Sequence, residues 1–208
     1  MGQIKTILTA TDLSAPARHA AARAARAARL ARDTGAQLRL LHVMNQGAID
    51  DLRVLLGVQV GPVEQHLIDT AREDLARLAA GIGEPFGIAP GIHLAAGSVL
   101  AETLDHADAI DADLLVLGAR GESFMRHLLL GSTAERLLSK TRRPMLVVKQ
   151  TPMDRYRRVL VPVDFSPWSG EAIALARAVA PGAELVLMHA FERRSRGSCG
   201  WPGLASRR

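Results

Sequence analysis

Short apolar runs alternate with segments of helical periodicity through the first 150 residues of the chain. Apolar runs bounded by turn residues are typical of buried strands, and apolar residues three and four apart are typical of helices that cover a sheet. This alternation predicts an α/β fold, an open parallel five-stranded sheet with helices on both faces. The predicted strands are 4–10, 37–43, 91–95, 114–117 and 145–148, and the predicted helices are 15–33, 63–78, 100–110 and 132–140.

Three glycines and two hydroxyl residues surround the step from the fourth predicted strand to the fourth predicted helix. Gly118 and Gly121 follow the strand, and Gly131 precedes Ser132 and Thr133, where the helix begins. Glycine lets backbone N–H groups approach a ligand without an intervening Cβ, and a helix N-terminus attracts anions. The pattern predicts a phosphate-binding loop. It is neither a Walker A loop, because no Gly-Lys-Ser/Thr ends it, nor a dinucleotide fingerprint.

This Gly-x2-Gly-x9-Gly-Ser motif resembles that of the universal stress protein family, in its ATP-binding branch. Residues 7–14, 40–43 and 143–148 also match, so the resemblance covers residues 1 to about 150. It implies the strand order 3-2-1-4-5 and a bound ATP, with Mg²⁺ arriving together with the nucleotide. The nucleotide contacts that it implies are Ala10, Thr11, Asp12, Val43, Leu117, Gly118, Arg120, Gly121, Gly131, Ser132 and Thr133.

A second, shorter copy of the pattern begins near residue 156. Residues 159–166 parallel residues 7–14, and 184–189 parallel 37–42, but no further strand or glycine motif follows. The chain therefore resembles a tandem universal stress protein with a truncated second domain. The predicted divisions are a nucleotide-binding domain at 1–150, a linker at 151–155, a partial strand-helix-strand repeat at 156–192 and a disordered basic tail at 193–208.

Several candidate residues have two interpretations. In a sheet of order 3-2-1-4-5, ligands bind where the order reverses, beyond strands one and four, and this rule places Asp12 beside Gly118. An Asx turn is the alternative role of Asp12, and it is the favoured role of the equivalent Asp164, which lacks partner glycines. Val43 is either a wall for the nucleoside or a core residue. Arg120 either pairs with phosphate or is a solvated loop residue.

No other residues predict catalysis or metal binding. The histidines show no metal-ligand spacing and the serines form no recognisable triad. His42 and His189 occupy equivalent strand positions, which favours a repeated packing role. Arginines spaced three apart in the first helix favour a solvated face; they are Arg23, Arg26, Arg29 and Arg32.

Charge and hydropathy exclude other classes of function. The net charge of +5 comes from the five arginines of residues 193–208, because the remaining basic residues balance the 21 acidic ones. With an aromatic content of 3% the chain offers few stacking surfaces for bases, so no specific nucleic-acid partner is expected. No apolar run reaches about 18 residues, so no membrane span is expected. The early first strand and the single Cys199 predict a cytoplasmic protein without a signal peptide.

The sequence thus predicts an ATP-binding stress-response sensor or regulator. Hydrolysis is expected to be absent or slow, because no acid–base pair or arginine finger is evident. A genuine ATPase and a protein-interaction module with an unused nucleotide site are the alternatives. In the family that the chain resembles, strand five lies at a sheet edge and pairs with strand five of another domain. The resemblance therefore implies an apolar edge at 145–148 and a homodimer through residues 144–149. An unidentified protein partner is also expected.

Overall fold

The computed structural model describes residues 3–13, 17–47, 50, 54, 60–118, 132–148 and 155–191. Within these ranges a five-stranded parallel sheet has the order β3-β2-β1-β4-β5. Both the predicted fold class and the strand order are confirmed. The strands are β1 (Thr6–Thr11), β2 (Gln37–Asn45), β3 (Gly91–Gly97), β4 (Leu114–Gly118) and β5 (Met145–Val148).

Helices cover both faces of this sheet. On one face, α1 (Ala17–Thr34) and α2 (Val60–Gly83) bury the alternate strand residues Ile7, Leu40 and Val116. The side of α1 against the sheet consists of small residues at helical spacing, so the helix axis can approach the strands closely. These buried residues are Ala24, Ala27, Ala28 and Ala31.

The opposite face of the sheet is covered by α3 (Val99–Ala109) and α4 (Ser132–Lys140). Leu8 and Leu115 pack there with Ala107 of α3. Neighbouring residues of one strand therefore enter different cores, which is the period-two geometry of a strand buried on both sides. This double burial explains why the strands are continuous apolar runs in the sequence.

Helix α2 is longer than the predicted 63–78. Ala79 and Ile82 are buried, so packing continues the helix beyond the predicted end. The helix passes into a short 3-10 turn, Glu84–Phe86, that closes on Gly87 with φ of 65°.

A second, two-stranded parallel sheet is formed by residues of the predicted C-terminal repeat. Its elements are β6 (Arg158–Pro162), α5 (Pro167–Val179) and β7 (Glu184–Met188). Leu160 of β6 is 56% exposed, whereas the equivalent Leu8 of β1 is fully buried. The residues that cover Leu8 belong to α3 and to the region around β4, and the described part of the repeat has no counterpart of these elements.

Contacts with α1 hold this repeat against the larger sheet domain. The Arg26 guanidinium lies 4.0 Å from the centre of the Tyr156 ring, a cation–π distance. Arg155 pairs with Asp33 at 3.2 Å. Arg26 is buried, so the predicted solvated face is wrong at this position, because an aromatic partner distant in sequence covers it. The predicted linker and basic tail lie largely or wholly outside the described residues, and the domain divisions stay predictions.

Candidate nucleotide site

The carboxyl ends of β1 and β4 meet at the point where the strand order reverses. Thr9 is in register with Val116, and Thr11 and Gly118, which end the two strands, each lie two residues further on. Asp12 follows directly after Thr11 and is half-buried. The structure therefore brings the ends of the two candidate strands to one edge of the sheet, where open α/β sheets bind their ligands.

Helix α4 begins above this edge. Its residues Ala134 and Leu137 pack with Leu117 of β4, and Ala10 of β1 lies against the same cluster. The side chains of Ala10 and Leu117 therefore form the apolar support of the site, and any ligand contact from them has to come from the backbone. This packing fixes the start of α4 relative to both strand ends.

The first turn of α4 provides groups suited to an anion. Ser132 and Thr133 are both exposed. The first turn of any helix has amides without an intrahelical acceptor and carries the positive end of the helix dipole. Glu135 also lies in the first turn. Its carboxylate stabilises the helix but offsets part of the attraction for a phosphate.

Other predicted contacts are placed elsewhere or lie outside the described residues. Val43 is buried with Leu8 and Leu41 beneath α3, so its side chain belongs to the core. The predicted nucleoside contact would therefore have to come from its backbone. Arg120, Gly121 and Gly131 lie outside the described residues. Their part in the phosphate loop stays a prediction.

A strained turn connects β1 to the crevice. Leu13 has φ of 53°, a left-handed conformation that costs a residue with a Cβ about 1–2 kcal/mol. The equivalent residue of the second repeat, Phe165, has φ of 62°. The sequence does not predict these positive φ values, because Leu and Phe rarely adopt them.

His42 of β2 contacts the carboxyl end of β1. Its Nδ1 lies 2.9 Å from the carbonyl oxygen of Thr11, and since a carbonyl only accepts, Nδ1 carries the proton. His189 makes the same contact with the Val163 carbonyl at 2.8 Å. The equivalent bonds agree with the repeated structural role predicted for the two histidines.

Asp164 forms the Asx turn that its sequence context favours. Its Oδ1 accepts hydrogen bonds from the Ser166 N–H at 2.9 Å and the Ser169 hydroxyl at 2.8 Å. Hydrogen bonds from Ser166, and then from Ser169, lower the pKa of Asp164 to about 2. The position equivalent to Ser169 in the first repeat is Ala17, which has no hydroxyl.

A histidine pair at the β3 edge was missing from the predictions. The rings of His93 and His106 stack at 4.0 Å between centroids and 7° between planes. Burial, and then the nearby His93 and Arg39, lower the pKa of His106. The two histidines belong to β3 and α3, so no local sequence pattern connects them.

The described residues contain no group of three or more His, Cys, Asp or Glu side chains arranged to hold a metal ion. In the same part of the chain, no helix combines the length and apolar character needed to cross a membrane.

Comparison with known proteins decides the family. The sequence model of the universal stress protein family matches residues 3–149. The chain belongs to the universal stress protein family. The predicted family is thereby confirmed, whereas the ATP-binding branch and the tandem organisation stay predictions.

Individual relatives extend this finding. A universal stress protein of Mycolicibacterium smegmatis is 36% identical over 118 residues, which cover 57% of this chain and 78% of that protein. The crystal structure of a universal stress protein from Archaeoglobus fulgidus DSM 4304 is 25% identical with a TM-score of 0.70, over 94% of this chain and 69% of that chain. This coverage exceeds what residues 3–149 supply, so the likeness extends into the second repeat.

A third relative is a solved structure of a universal stress protein in complex with cAMP. It is 19% identical, with a TM-score of 0.52, over 73% of this chain and 100% of that chain. At this identity the likeness shows the shared fold.

Proposed function

We propose that this universal stress protein binds ATP in the crevice between β1 and β4 and acts as a stress-response nucleotide sensor or regulator. The observation that carries the proposal is the packing of α4 on Leu117 and Ala10. It holds an exposed helix N-terminus above the ends of both strands, at the position where a phosphate group would meet unpaired amides.

Each predicted residue has a role in this proposal. Gly118, Gly121 and Gly131 hold the triphosphate, and the Ser132 and Thr133 hydroxyls donate to its oxygens. Arg120 pairs with a phosphate. Mg²⁺ arrives with the ATP rather than occupying a separate protein site.

The nucleoside lies against the end of β1 in the same proposal. Asp12 contacts the ribose or the base, while Ala10, Thr11, Val43 and Leu117 contribute backbone groups. Binding of cAMP by one family member supports an adenine nucleotide as the class of ligand.

Hydrolysis is proposed to be slow or absent. His42, whose ring contacts the end of β1, uses its Nδ1 proton in a bond to the Thr11 carbonyl, which ties the ring to the backbone. Fast phosphoryl transfer instead requires groups directed at the attacking water and at the developing charge. Steady-state turnover at an ordinary enzymatic rate would favour the alternative of a genuine ATPase.

A protein-interaction module is the second candidate function. It is favoured by the exposed apolar side chains of the second repeat, which include Leu160, Phe165 and Trp168. Exposed apolar side chains that form a contiguous patch mark protein–protein interaction sites. The proposal also includes a cytoplasmic location, an unidentified protein partner and a homodimer through residues 144–149.

Gly121→Val tests the nucleotide site. A branched side chain at this position blocks the approach of phosphate to the backbone, so calorimetry should show ATP affinity reduced at least about tenfold, or about 1.4 kcal/mol. The wild-type titration should give one site per chain, because the sequence after Asp164 has no equivalent of Gly118, Gly121 and Gly131.

Gly170→Val is the matched control, since a Cβ at Gly170 meets no atom within 4 Å. It should leave ATP affinity unchanged. Equal affinities for wild type and Gly121→Val, or two ATP sites per chain, would contradict the proposed site.

A further inference from the structure

The two repeats share one arrangement at the end of their first strand. In each, a histidine in or directly after the neighbouring strand donates from Nδ1 to a carbonyl at the end of the first strand. His42 donates to Thr11 at 2.9 Å, and His189 donates to Val163 at 2.8 Å. In each, an aspartate follows that carbonyl, and a residue of positive φ follows the aspartate, Leu13 or Phe165. The histidine bond and the strained turn therefore occur together.

The hydrogen bond restrains the residue on which the turn begins. Thr11 is in register with His42 and is buried. Its carbonyl accepts a hydrogen bond from the His42 ring. Its hydroxyl oxygen accepts one from the Leu13 N–H, with 3.5 Å between Leu13 N and Thr11 Oγ1. A left-handed residue persists only where its surroundings determine the local backbone. The bond from His42 supplies such a restraint from a second strand.

We propose that His42 is a positioning residue of the nucleotide crevice, which clamps the Thr11 carbonyl and so fixes the direction in which Asp12 enters the site. The inference rests on the proposed binding of ATP in that crevice. It assigns His42 no contact with the nucleotide. The clamp acts by removing backbone freedom that a ligand would otherwise have to restrict on binding.

The same bond in the second repeat provides an internal control. His189 holds the Val163 carbonyl in the same way, but there the following Asp164 is bound by Ser166 and Ser169. Loss of the His189 bond removes an equivalent interaction at a distance from the crevice. A purely structural role predicts that both histidines matter only for stability.

The test compares three variants at position 42 with one at position 189. His42→Phe keeps a ring without a donor, and His42→Gln moves the donor toward the position of Nε2. His42→Asn places an amide N–H near the position of Nδ1, so it should restore the clamp. His189→Phe is the control. Calorimetry gives the ATP affinity of each full-length protein, and thermal unfolding gives its stability.

We expect His42→Phe and His42→Gln to weaken ATP binding about fivefold to tenfold, the loss expected from one hydrogen bond. His42→Asn should bind within about threefold of wild type, and His189→Phe should bind as wild type does although its melting temperature falls. If His42→Phe does not fold, the comparison of Gln with Asn decides the question.

The two proposals fail in different ways. Wild-type protein that binds no ATP overturns the proposed function, and the positioning role with it. Wild-type binding that is unchanged in His42→Phe and His42→Gln overturns the positioning role alone. Equal losses of affinity in His42→Phe and His189→Phe also overturn it, because the effect would then follow from general stability.

Discussion

Single residues in this protein are held in states that they do not favour in isolation. Leu13 adopts a positive φ, and the Nε2 atom of His106 is buried with no hydrogen-bond partner found for it within the described residues. The first is compensated by hydrogen bonds at Thr11, whereas the second lies in surroundings that lower the pKa of the imidazole through burial and the nearby His93 and Arg39. Protonation of His106 is therefore expected to destabilise the fold.

We predict that stability falls as the pH falls below about 6.5, the ordinary histidine value. Burial and the nearby His93 and Arg39 lower the pKa of His106 in the folded protein. The unfolded chain then binds the proton more readily than the folded protein, so acid favours unfolding. Above the pKa of the unfolded chain, His106 causes no loss in the free energy of unfolding. Urea unfolding between pH 5 and about pH 8 measures this loss.

His106→Phe should flatten this part of the pH profile, since it keeps a flat ring against His93 without a titrating nitrogen. His66→Phe, at an exposed position of α2, should leave the profile as it is. A His106→Phe profile identical to that of wild type would show that the histidine pair does not cause the acid sensitivity.

Features that leave a local pattern in the sequence could be predicted, whereas contacts between distant segments could not. Parallel strands buried on both faces leave apolar runs in the sequence, and the glycine pattern indicates one side of the crevice. The partners of His106 and Arg26 lie on other elements, so no local period reveals them. For this reason the helical period of α1 predicts solvated arginines, although Tyr156 covers Arg26.

At the scale of elements, the return from α2 to β3 depends on close backbone approach. Gly83 ends α2, and a Cβ built there would overlap the Ile88 carbonyl oxygen and lie 2.7 Å from Pro90 Cδ. The Ile88 N–H donates to the Gly83 carbonyl at 3.2 Å. Only glycine lets the chain reverse this tightly before it enters the edge strand.

We predict that Gly83→Ala lowers the free energy of unfolding by about 1–3 kcal/mol, because backbone atoms must move to admit the methyl group. Gly81→Ala is the matched control two residues earlier in the same helix, where an added Cβ meets nothing within 4 Å. It should raise the free energy of unfolding by about 0.5–1 kcal/mol through helix propensity. Denaturant titration of both variants checks the signs, and equal effects would refute the steric explanation.

At the scale of the whole molecule, two apolar surfaces within the described residues are candidates for a subunit interface. One is the open edge of β5, which has β4 as its neighbour in the larger sheet. The other is the uncovered face of the second repeat, where Leu160 is 56% exposed and Leu187 54%. A sheet edge also offers unpaired backbone groups, so it recruits a second strand more specifically than an apolar face does.

The last prediction concerns this edge. The Leu115 N–H donates to the Pro144 carbonyl, so residues 144 and 146 face β4 in the parallel ladder, and the Val147 N–H points to the open side. Val147→Pro therefore removes a donor from the edge without removing one from the β4–β5 ladder.

Sedimentation should show a wild-type homodimer at micromolar concentration and a folded monomer for Val147→Pro. Leu160→Lys, which adds a charge to the face of the second repeat, should remain dimeric. A dimer that survives Val147→Pro but is lost in Leu160→Lys would place the interface on the second repeat, and a wild-type monomer would contradict pairing through either surface.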